Sequence, residues 1–297
     1  LRIDMATATV VTGNTAITGL GPVPGVISGA NVLSFSISGA SLFVGVGGNL
    51  AADRSSIETT GASGFLISGA TFALSTVSKG TTSFTGLEVS VSNAALIGVS
   101  GVDVRVSGTV KVNKTSVVGG PRIDWATATS ATNDPGNLIP ALTVTKTQEL
   151  HANGSAAMDL FGFVVGSGDF EMQMSTVNVD QNANGVFSTT GTERDLQGAT
   201  LLLFGLSNVD LFVGAGASLK PDGTVDASNA TGLSINGGSL GVAMISANAT
   251  MIVGDNRSYV ATTARLAHAS FAGLPSGLAI NAANISVQLN RASGTVP

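Results

Sequence analysis

The chain has 297 residues, 43% apolar and only 10% charged, with a net charge of -5 and no cysteine. So few Lys and Arg leave no basic surface for nucleic acid or anionic lipid, and without cysteine neither a disulfide framework nor a thiolate metal site can form. No apolar run reaches the ~18 residues of a membrane helix, and a single Trp and a single Tyr cannot furnish the aromatic girdles of a membrane barrel.

The chain opens on "IDMATAT" (3–9), and "IDWATAT" returns at 123–129 with six of seven residues identical. Further pairs accompany it. "SLFVGVGGNL" (41–50) answers to "DLFVGAGASL" (210–219), "GFLISGATFALS" to "GLSINGGSLGVA", and "VKVNK" (110–114) to "VQLNR" (287–291). Two units are expected, residues 1–119 and residues 120–297, either separate or parts of one continuous β framework. The second is longer because extra residues precede its "LFVG" phrase. As the first residues already belong to a repeat and carry no basic-plus-apolar leader, the chain reads as a window on something longer.

Within the units a shorter phrase recurs: an apolar residue, Ser or Asn, Gly, Asn or Ala, a small residue, then alternating apolar positions. It stands at 27–35, 37–46, 67–75, 91–99, 206–214, 235–243 and 280–289. Around it run period-2 segments such as "VDVRVSGTVKV" (102–112), the signature of strands. Helix signals are nearly missing among 39 glycines. Gly and Asn tolerate positive φ, so each triplet can bend a strand without ending it, as a corner or a bulge. Repeated corners point to an all-β fold, an elongated β-solenoid or β-helix-like stack of irregular coils. The alternative is a string of tandem antiparallel β-sandwiches, supported by turn signals at "DPGN" (134–137), "KPDG" (220–223) and "GDN" (254–256).

The combination of "IDWATAT", "LFVGAG", "NRSYVA" (256–261) and "VQLNRAS" (287–293) resembles the tandem repeats of very large bacterial secreted or cell-surface, adhesin-like proteins. The resemblance implies an extracellular or cell-surface location and a repetitive architecture. It brings no catalytic motif.

Chemistry-bearing clusters are sparse. His151 and His268 stand apart, with no second ligand at metal spacing. No G-x-S-x-G elbow and no complete dinucleotide glycine loop occurs. The one ligand-like pattern is "DQNANG": Asp180, Asn182 and Asn184 carry oxygens at alternate positions before Gly185, as in the first half of a calcium loop, but position twelve is Gly191 and Glu193 comes two residues late. A polar turn explains the same letters. Asp4 and Asp124 suit capping or ligation; Asp103 with Arg105, and Asp169 with Glu171, share strand faces. Trp125 and Tyr259 suit either a sugar-stacking platform or packing.

The function expected is a non-enzymatic structural repeat segment of a bacterial surface or secreted protein, serving as stalk, spacer or filament body. Its expected partners are further copies or neighbouring repeats, and glycans. The alternatives are a carbohydrate-active β-helix enzyme and a glycan-adhesion module.

Overall fold

A computed structural model describes residues 1–188 and 195–296. Eleven strands form one sheet: β1 (Arg2–Val11), β2 (Val26–Val46), β5 (Ser63–Lys79), β6 (Thr82–Ile97), β7 (Val102–Thr115), β8 (Leu150–Leu160), β9 (Val164–Val179), β10 (Leu196–Ala215), β13 (Thr231–Ser246), β14 (Ser258–Ala272) and β15 (Asn281–Ser293), paired in that order. Two small hairpins, β3 (Asn49–Leu50) with β4 (Ile57–Glu58) and β11 (Ser218–Leu219) with β12 (Val225–Asp226), interrupt the meander. The all-β expectation holds.

No solenoid is found among the described residues. Solenoid coils stack strand on strand in parallel, whereas every ladder described here is antiparallel and joins strands adjacent in the meander. Nor does a second large sheet, which a sandwich requires, occur among the described residues. The triplets are bulges rather than corners. Gly39 and Asn208 sit at positive φ where the β2 and β10 registers shift. At Gly69 the insertion shows in the residue count. Arg105 and Thr109 share a face of β7, yet across the sheet their β5 counterparts are Leu66 and Thr71, one residue further apart. The extra residue lets a long strand bend while its side chains keep to their proper faces.

The units correspond strand by strand, and register fixes the correspondence. Leu33 of β2 and Leu202 of β10 follow matching "GAN" and "GAT" phrases; Met5 of β1 faces the first and Met174 of β9 the second. So β1 has its counterpart in β9, and β8 is an additional strand. "IDMATAT" is a strand, but "IDWATAT" is not: Asp124 caps a helical turn, α1 (Trp125–Ala128), accepting from the Thr127 N–H at 3.1 Å. The two units meet inside the sheet, where β7 pairs with β8 from Val102↔Leu160 to Val112↔Leu150.

The main core lies where the 116–149 connection folds back over the sheet. Trp125 is fully buried with Ile123, Leu142 and Val144, against Val32, Val77 and Phe84. Its ring rests on Gly86, where a Cβ would stand 2.6 Å from indole atoms. The indole Nε1 donates to Asn113 Oδ1 at 3.0 Å, while Asn113 Nδ2 donates to the Ile123 and Thr145 carbonyls at 2.8 and 2.9 Å. A smaller core forms under the second hairpin, where Phe212 and Val165 pack with Ala217 and Ala230.

Trp125→Ala is expected to cost about 3–5 kcal/mol, since it empties a ring-sized volume and leaves Asn113 Oδ1 without its donor. Urea unfolding would show this against Val118→Ser, an exposed control expected to stay within about 0.5 kcal/mol of the parent.

Candidate interaction surface

Antiparallel register places directly opposed residues on one face, so each face can be read straight across the sheet. One row runs Ile3, Phe35, Leu74, Leu87, Val112, Leu150, Met174, Leu202, Met244, Val260 and Arg291. The next runs from Ile37 and Phe72 through Val89, Val110, Met172, Phe204 and Val242 to Leu289. A third includes Val91, Phe170, Leu206, Leu240 and Val287. Arg291, at the sheet edge, is the one charge in these rows. Three rows across seven to ten strand spacings cover on the order of 1,000 Å², beyond the few hundred Å² of the largest apolar patch on a typical monomer. The face is open: Leu33 is 44% exposed, Met244 41% and Leu289 56%.

The opposite face is polar and carries the covers. Its corresponding row reads Arg2, Ser36, Ala73, Glu88, Lys111, His151, Gln173, Leu203, Ala243, Ala261 and Asn290. Glu88 accepts from Thr143 N at 2.7 Å and so ties down the 116–149 connection. Arg105, paired with Asp103, donates to the Lys220 and Pro221 carbonyls at 3.2 and 3.1 Å, which fastens the second hairpin to the sheet. Sequence spacing put Asp103 and Arg105 on one face but gave no sign of this longer reach. Between β9 and β15 the same face opens into a groove of about 730 Å³, floored by Gly205, Gly241 and Ala243 and flanked by Glu171, Gln173, Gln288 and Asn290.

The expected site residues fall as follows. In the Asp180 loop the oxygens turn back on their own backbone: Asp180 Oδ2 accepts from Gly185 N at 2.7 Å, Asn182 Oδ1 from Asn184 N at 3.0 Å, and Asn184 Oδ1 from Val186 N at 2.7 Å. Asp180 Oδ1 is buried without a hydrogen-bond partner, and no cluster of three or more His, Asp or Glu forms among the described residues. One spare carboxylate oxygen is a poor fit to the six to eight oxygens of calcium. Gly191 and Glu193 lie outside the described residues. His151 bonds Glu171 at 3.0 Å, but His268 stands on β14, four strand spacings or about 19 Å across the sheet. Trp125 is core, and the Tyr259 hydroxyl accepts from Gln181, so the two build no shared aromatic platform.

Beside that loop lies a knot absent from the sequence reading. Buried Arg257 pairs with Asp255 at 2.7 Å and donates to Gln181 Oε1 at 2.9 Å. Buried Asp195 accepts from the Gln181 and Ser188 amides at 3.0 and 2.9 Å. Those amides, together with Arg257, hold the Asp195 carboxyl below its usual range. Asp169 is lowered likewise, by the Ser155 hydroxyl and the Asn208 amide. Comparison with protein-family models, curated proteins and solved structures finds no match for this chain.

A carboxylate depressed on folding stabilises the native state above its unfolded pKa and loses that contribution as pH falls through the folded one. Asp195→Asn is therefore expected to flatten the fall in the urea midpoint between about pH 5 and about pH 2; an unchanged slope would show that the knot carries none of it. Millimolar calcium is expected to leave the melting temperature of the parent unmoved. A rise that Asp180→Asn abolishes would establish the loop as a cation site.

Proposed function

We propose that the chain is a non-enzymatic structural segment, a stalk, spacer or filament body of a repetitive bacterial surface or secreted protein, that extends by adding strands and associates with further copies or neighbouring repeats. The observation that carries this reading is the β7–β8 ladder: one unit continues the sheet of the other with full backbone pairing. A sheet built this way has no natural stopping point. Among the described residues β1 and β15 each pair on one side only, and unpaired edges of long strands template further strands. The bare apolar face supplies a second reason to associate, because leaving it in water costs roughly 25 cal/mol per Å². Low charge suits such a role, since few like charges oppose assembly.

Electron microscopy and small-angle scattering over a concentration series test the reading. The parent is expected to form elongated assemblies. Val287→Lys with Leu289→Lys, both on exposed positions of the β15 edge, is expected to suppress them without loss of fold. Compact monomers of the parent at the highest concentration would overturn it.

A further inference from the structure

On the apolar face, residue size changes along the strands. From β6 to β9 the first row reads Leu87, Val112, Leu150 and Met174. In the fourth row, past those of Val110 and Gly108, the same strands present Ala94, Val106, Ala156 and Gly168. The face therefore carries a ridge toward one end of these strands and a trough toward the other. Ala156 is exposed, so the trough is open. The covering segments do not obstruct it, because Glu88 and Arg105 fasten them to the opposite face.

A surface that holds both halves of such a fit is complementary to itself. When a second copy is turned about a two-fold axis that runs across the strands between the second and third rows, each ridge enters the other copy's trough. Leu87 then stands over Ala94, Leu150 over Ala156, Met174 over Gly168, and Val110 of the second row over Gly108 of the third. The extent of the face suits this pairing: on the order of 1,000 Å² exceeds the roughly 800 Å² per partner of a stable interface. Arg291, at the edge, is the one charge in the four rows, so pairing buries no carboxylate, and a lipid headgroup finds no basic cluster there.

We propose that the apolar face is closed by the same face of a second copy, the two sheets packing about 10 Å apart as an isologous sandwich. The inference rests on reading the chain as self-associating, and adds which surface a second copy covers. Edges extend the sheet in its own plane, whereas the face doubles it, so a doubled layer is still free to lengthen.

The test starts from Gln288→Lys with Asn290→Lys, which charges the exposed β15 edge from the polar side and leaves the apolar face untouched. Sedimentation velocity over a concentration series is expected to show dimers of this edge-charged chain. Adding Val110→Glu, at a position 41% exposed, is expected to raise the dimer dissociation constant at least tenfold, and so is adding Ala156→Leu, which fills the trough. Both positions face solvent in the single copy, so circular dichroism is expected to match the parent's. Leu150→Ala combined with Ala156→Leu is expected to restore pairing, which a mere loss of fold could not do. Monomers of the edge-charged chain at the highest concentration overturn the face pairing, and elongated assemblies of the parent would then leave the array reading standing. Dimers that Val110→Glu and Ala156→Leu leave unchanged overturn it too, as does a Leu150→Ala, Ala156→Leu combination no tighter than Ala156→Leu alone. Edge-charged monomers that float with phosphatidylcholine vesicles would assign the face to a lipid surface instead.

Discussion

Everything in this molecule depends on side chains holding one face across eleven antiparallel strands. Alternation has a period of two, so a slip of one residue in any ladder would carry that strand's apolar set to the polar side. The bulges make long strands compatible with this constraint. A strand such as β2, which runs from Val26 to Val46, must bend with the sheet, and an inserted residue at Gly39 lets it do so while Phe35 and Leu42 both stay on the apolar side. That Asn208 repeats the device in β10, at positive φ and at the matching place, shows the bulge to be part of the unit's design.

The two faces solve different problems. On the polar side, small residues admit covers: Gly86 receives the Trp125 ring, and Gly214 and Gly232 flank the Phe212 ring beneath the β11–β12 hairpin. The covers are then fixed by directed bonds, from Asn113 and Glu88 at one end and from Arg105 at the other. On the apolar side nothing similar happens among the described residues, and the rows from Ile3 to Arg291 remain open. A single layer with one dressed face and one bare face is half of the usual two-layer solution to burying a sheet. This asymmetry is the physical basis of the associative role proposed for the chain.

Much of the site was out of reach of sequence reading for a geometric reason. The groove draws Glu171, Gly205, Gly241, Thr263 and Gln288 from five strands, and only register brings them into line. The Asp255–Arg257–Gln181–Asp195 knot likewise gathers distant residues that carry no common motif. The Asp180 loop was visible because its residues are consecutive, and its polar-turn reading matches the bonds it makes.

The amino-acid sequence by itself determined that the chain is β-rich, that its strands alternate, that triplets bend them, and that a unit is repeated. Those properties live in residues a few positions apart, where local sterics and hydrogen bonding act. Tertiary structure alone decided that the strands pair antiparallel in one sheet rather than stack as coils, because alternation is the same in both. It also decided the fate of the repeated heptad. Near-identical local preferences gave a strand at Met5, where β2 offers a ladder, and a helical turn at Trp125, where burial on Gly86 and the Asn113 bond outweigh what another strand could return.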